Sequence, residues 1–226
     1  MPRLGVANWP QLLVQKALPG QSLVTGDADV SLLVDCLGQA AREAKVIIHA
    51  YVVTPDHLHV LATPSTAEGL SLMMQGLGRR YVAGFNRRHG RRGGLWAGRY
   101  RSTVIEPARY LLDCMVFIEQ HAVRAGRIEP GRVDPWSSAG HHLGLRTDPL
   151  IQDHPLFWAL GNTPFEREAV WRQRLDEGLS AEQIQLLAQA SHKGWALGAS
   201  AFLDALQSTT DRRVQPRPRG RPRKSD

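Results

Sequence analysis

Apolar residues fall into two rhythms along this chain, one helical and one extended. Residues 27–44, DADVSLLVDCLGQAAREA, place Val30, Leu33, Val34, Leu37 and Ala41 on one helical face, behind acidic residues suited to a first turn. The next stretch, KVIIHAYVVTPDHLHVLATP, holds two β-branched apolar runs around Thr54-Pro55-Asp56 and predicts a β-hairpin. A second long helix is expected over 67–88, with Leu70, Met73, Met74, Leu77, Tyr81 and Phe85 along one side. The Gly-rich segment 90–94 ends it. Residues 95–105, LWAGRYRSTVI, predict a further strand, and a third helix should start after Glu106-Pro107, since proline suits a first turn. Its apolar positions Leu111, Cys114, Met115 and Ile118 recur at helical spacing, and Gly126 suits its end. From 149 to 207 the texture is helical without a convincing strand, and no internal repeat is present. The expected fold class is therefore α+β: an antiparallel sheet with helices packed on it, plus a C-terminal helical module.

Composition narrows the class. Hydrophobic residues make up 42% and charged residues 22%, ordinary for a soluble globular chain. No apolar run approaches the roughly 18 residues of a membrane span. The start, MPRLGVANWPQLLVQ, lacks the pattern of a secretory signal, so a cytoplasmic location is expected, with no membrane partner. Cys36 and Cys114 fall in helical segments and read as small buried hydrophobes rather than a disulfide.

The distribution of charge says more than the net +7. Residues 211–226 hold seven Lys/Arg against two Asp, which leaves the body at only +2. Within that body, residues 69–105 contain no acid but eight arginines: Arg79, Arg80, Arg87, Arg88, Arg91, Arg92, Arg99 and Arg101. Such clustering points to a polyanion-binding surface, against the competing reading of a solvated helix face. Arginine throughout, with no lysine, favours phosphate, which a guanidinium can bond through two hydrogens at once. The terminal segment RPRGRPRK is expected to be disordered in isolation. It reads either as an Arg-Gly-Arg-Pro contact to A·T-rich DNA or as a generic basic tail.

His57 and His59 flank Leu58 on a predicted strand, so both imidazoles project to one face and can share a metal ion. By itself, His-x-His is a weak signal. The surrounding stretch AYVVTPDHLHVLATP, however, resembles the signature strand of the HUH transposases. Further on, GLWAGRYRSTVIEPARYLLDCMVFIEQHAVRAGRI and DPWSSAGHHLG are similar to the REP-associated tyrosine transposases, in the right order over roughly residues 40–145.

The resemblance implies an HUH (ferredoxin-like) domain over 1–147, a helical module over 148–210 and a basic tail over 211–226. It implies single-stranded or hairpin DNA as partner, leaves room for a homodimer, and implies Mg²⁺ or Mn²⁺ as cofactor. The expected activity is metal-assisted DNA cleavage and strand transfer through a tyrosine. The metal pair matches His57 and His59, and the third ligand position falls on His121.

One departure bears on that activity. The family tyrosine falls on Phe117, which has no hydroxyl to attack phosphorus. Tyr110, two turns earlier, is the candidate substitute nucleophile, although about 10 Å of helix separates the two positions. Tyr100, on the Arg-rich strand, is a weaker one. A DNA-binding descendant without strand transfer, and a nuclease in which water replaces tyrosine, are the rival readings.

Overall fold

In the computed structural model of the chain, residues 4–216 are described. Strand β1 (Gln11–Lys16) leads to helix α1 (Asp27–Glu43), then to the hairpin of β2 (Val46–Val53) and β3 (His57–Pro64). Helix α2 (Gly69–Arg88), strand β4 (Arg101–Val104) and helix α3 (Pro107–Glu119) follow. Three short helices come next: α4 (His121–Arg124), α5 (Ala139–His142) and α6 (Pro155–Trp158). The last three are α7 (Pro164–Glu177), α8 (Ala181–Lys193) and α9 (Ser200–Gln207). The sheet is antiparallel with strand order β2-β3-β1-β4, so the expected α+β architecture holds.

Two elements depart from the pattern-based reading. Strand β1 was not anticipated, yet it lies inside the sheet between β3 and β4. Its sequence, QLLVQK, is short and buried on both faces, so it shows no alternation. Strand β4 is shorter than expected because Gly98, at φ 74, turns the chain. The preceding segment instead lies across the end of β1, where the Ala97 amide donates to the Lys16 carbonyl at 2.8 Å.

Alternation along the strands sorts side chains onto two faces. Leu13, Leu58, Val60 and Ala62 pack against α1 and α2. Leu12, Ala50, Val52 and Leu61 face the other way, toward Leu111, Cys114, Met115 and Ile118 of α3. Fully burying each such leucine contributes about 1.5–3 kcal/mol. Phe157, Trp171 and Leu187 join this second cluster, so the later helices share a core with α3. Both cysteines are buried and free, as expected.

Helix α3 stops earlier than its apolar spacing suggests. Gln120 leaves the helical region (ψ 8), and its side-chain amide donates to the Leu175 carbonyl on α7. A tertiary contact thus divides the expected single helix into α3 and α4. Helix α8 covers the exposed edge of β4, the usual remedy for unpaired strand groups. Thr103 Oγ1 donates to the Ala190 carbonyl and Arg101 Nη1 to the His192 carbonyl, each at 2.5 Å. Beyond α9, Val214 is buried against Leu203 and Leu206. The Arg-Gly-Arg-Pro segment lies outside the described residues.

Candidate metal centre and nucleic-acid face

His57 and His59 alternate with Leu58 on β3, so both project toward α3. His121, the first residue of α4, meets them there. Its Nε2 lies 2.9 Å from His57 Nε2, and one ring nitrogen from each of the three histidines falls within 4.8 Å of the others. Two nitrogens each about 2.1 Å from a shared ion and 2.9 Å apart subtend about a right angle at it, so this spacing fits a common metal. Burial holds His121 down to about 3, assisted by the neighbouring His57 and by Arg124. Burial likewise lowers His57, and it pushes His59 well below the ordinary imidazole range. All three rings are therefore neutral at physiological pH, the form that ligates a metal.

The surrounding groups orient these rings. His57 Nδ1 lies 2.9 Å from Asp56 Oδ1 and 3.0 Å from Thr54 Oγ1. The carboxylate favours the tautomer with a proton on Nδ1, leaving the Nε2 lone pair free. Burial raises the Asp56 pKa, but the His57 ring and the Thr54 hydroxyl outweigh it and hold the group ionised. On the other side, Arg127 Nη2 lies 3.2 Å from His121 Nδ1. An arginine can only donate, so in this arrangement the His121 proton sits on Nε2, toward His57.

Phe117 is buried beside the cluster. Its ring stands edge-on to His59 with centroids 5.7 Å apart, and the Arg124 guanidinium lies 4.4 Å above its centroid. A cavity of about 190 Å³ is lined by the three histidines and Phe117 together with Val14, Lys16, Asp56, Ala188, Ser191 and His192. None of the four tyrosines lines it. Tyr51 donates to Asp148, Tyr81 donates to the Leu23 carbonyl, and Tyr100 pairs with Ser71 at 3.0 Å. Tyr110 packs in the first turn of α3 against the second core cluster.

The eight arginines divide between the two faces of the sheet. Six lie on α2 or just after it, on the face opposite the histidines. Among these, Arg80 pairs with Glu43 at 2.6 Å, Arg88 with Asp29 at 3.5 Å, and Arg91 with Gln21 at 2.7 Å. Arg79, Arg87 and Arg92 are exposed and make no side-chain hydrogen bond or ion pair among the described residues. Arg99 and Arg101 lie near the histidine side, at the β4 edge.

Several residues of this site gave no signal in the sequence. Lys16 hides at the end of the unrecognised β1, and Ser191 and His192 arrive from α8, more than a hundred residues beyond β3. Arg127 sits past the expected helix end. Asp56 was legible only as a turn residue.

The metal assignment has a direct test. His57→Ala with His59→Ala should weaken Mn²⁺ binding by more than the roughly 10- to 100-fold typical of losing an outer-shell partner. The circular dichroism spectrum should stay native. Calorimetry showing unchanged affinity in the double variant would remove the metal centre.

The antiparallel sheet thus carries paired histidines on β3, met by a third, His121, just beyond α3. Residues 21–121, ending on His121, match the family described as Transposase IS200 like. The fold is shared with a REP-associated tyrosine transposase whose structure was solved bound to a REP hairpin. The TM-score is 0.55 at 15% identity, covering 68% of this chain and 90% of that one. A candidate transposase from Deinococcus radiodurans R1 also aligns, with TM-score 0.36 and 23% identity over 55% of this chain and 95% of that one. No curated protein matches the chain by sequence. Residues 21–121 are thus an IS200-like transposase domain, set in the fold of the REP-associated tyrosine transposases. No helix among the described residues is long and apolar enough to cross a membrane.

Proposed function

We propose that this chain binds single-stranded or hairpin DNA and sets one backbone phosphate against the three histidines, without forming a bond to a tyrosine. One observation carries this reading: Phe117 shares the cavity with His57, His59 and His121, and no tyrosine lines it. The DNA class comes from the family and from the hairpin bound by the relative of like fold. A divalent ion, Mg²⁺ or Mn²⁺, held by the histidines would supply Lewis acidity at a phosphate oxygen. Asp56 would hold His57 in its ligating tautomer, and Arg124 and Arg127 would add positive charge behind the phosphate. In this reading 1–147 makes the DNA-binding domain, 148–210 a helical module packed on it, and 211–226 a basic extension.

A second reading has an observation of its own. Three neutral imidazoles around one point suit an ion that also binds water, and such a site can cleave DNA hydrolytically. Purified full-length protein, Mn²⁺ and an end-labelled hairpin with a single-stranded flank separate the outcomes. Retarded migration, with intact DNA and no adduct surviving detergent, is expected. Free cleaved strands would establish the hydrolytic reading instead, and a detergent-stable adduct would overturn both.

A further inference from the structure

Lys16 stands directly opposite His57, while Val14 stands opposite both His59 and Arg101. Directly opposed residues of an antiparallel pair project to one face. The histidine face therefore continues sideways, through strands about 4.8 Å apart, from β3 across β1 to the edge strand β4. A second cavity of about 280 Å³ lies there, lined by Val14, Lys16, Ala97, Arg99, Arg101 and His192. It shares Val14, Lys16 and His192 with the histidine cavity, so the two form one groove.

Its charge is one-sided. Lys16 and Arg99 are exposed, and neither side chain has a partner among the described residues. The sole acid lining either cavity is Asp56, at the far end beside His57. The end of α8 forms the opposite wall. Its terminal carbonyls would repel an anion, but Thr103 and Arg101 take those of Ala190 and His192. Partial desolvation at the groove and the charges of Lys16 and Arg101 lower the pKa of the exposed His192 ring, so its neutral N–H can donate.

The geometry points to this groove as the path of the DNA backbone leaving the histidines: Lys16 and Arg99 each hold a phosphate, and His192 closes the track from α8. The inference rests on the DNA-binding reading above and gives the C-terminal helices a part in that binding. Lysine contributes a point charge, whereas Arg99 can bond two phosphate oxygens at once.

The test is a salt titration of fluorescein-labelled oligothymidine binding to the full chain, in EDTA so that no metal contributes. Lys16→Gln and Arg99→Gln should each flatten the plot of log affinity against log salt by about 0.7, the value for one lost single-strand phosphate contact. His192→Ala should weaken binding about two- to tenfold with the slope unchanged, as for one lost neutral hydrogen bond. All three side chains are exposed, so their melting temperatures should match wild type. Wild-type slopes and affinities in all three variants would overturn the groove while leaving DNA binding intact. A wild-type chain that binds neither oligothymidine nor a hairpin would overturn the DNA reading, and the groove with it.

Discussion

Phe117→Tyr is expected to form a covalent protein–DNA adduct where the wild-type chain forms none. The Phe117 ring borders the cavity that holds His57, His59 and His121, edge-on to His59. Phe117→Tyr would add one oxygen to a ring that lines this cavity of about 190 Å³. An attacking oxygen must come within roughly 3–3.5 Å of phosphorus, and no other tyrosine borders the space where the phosphate would sit. The Arg124 guanidinium, 4.4 Å above the ring centroid, would favour the phenolate. In the balanced step the tyrosine oxygen bonds phosphorus while the bond to the neighbouring 3′ oxygen breaks. The products are a 5′-phosphotyrosine and a free 3′ hydroxyl.

The assay is denaturing electrophoresis of Mn²⁺ reactions with a hairpin substrate. His121→Asn should be combined with Phe117→Tyr in parallel, to separate the effect of the third imidazole from that of the missing hydroxyl. His57→Ala should erase any adduct, which ties the chemistry to the metal site. A different result would overturn the placement: abundant adduct from wild type that Tyr110→Phe removes. Tyr110 would then be the nucleophile, and the first turn of α3 would have to reach the histidines.

The regular part of this fold was legible because its signals are local. Helices α1 and α2 carry apolar residues at helical spacing over many turns, and the β2–β3 hairpin is β-branched on both sides of a Pro-Asp turn. The histidine pair could be read from its strand, and the third histidine from the family motif. What escaped depends on distant partners. Strand β1 is recognisable only once β3 and β4 flank it. The break at Gln120 comes from a carbonyl on α7, and the groove wall from the end of α8. The arrangement of the charge cluster also depends on the fold. The sheet divides eight arginines close in sequence between its faces, and Arg80, Arg88 and Arg91 have partners within the chain.

Glu119→Ala should destabilise the protein by about 3–5 kcal/mol, the usual cost of stranding one member of a buried ion pair. Glu119 and His142 both have fully buried side chains. Glu119 Oε1 lies 2.5 Å from both His142 Nδ1 and Ser138 Oγ, and Oε2 accepts from Trp171 Nε1 at 2.9 Å. One carboxylate thus fastens the end of α3 to α5, to its N-cap residue Ser138, and to α7, two residues before His121. For a chain of this size the loss corresponds to a fall in melting temperature on the order of 10 °C. The pH dependence follows from His142. Burial alone would lower its pKa, but the Glu119 charge, the hydrogen bond to Glu119 and the Asp153 carboxylate 3.5 Å from Nε2 outweigh it and raise the group to about 9. A folded value above the ordinary 6.5 means the protonated ring stabilises the fold. That contribution is complete below pH 6.5 and is lost as pH rises through about 9. Wild-type melting temperature should therefore decline between those values, and Glu119→Gln should flatten the decline by removing the charge that sustains it. Calorimetric melts of both variants across that range decide the matter. A Glu119→Ala protein that melts within a degree or two of wild type, with the same pH profile, would show that this buried pair does not hold α3 to the helices behind it.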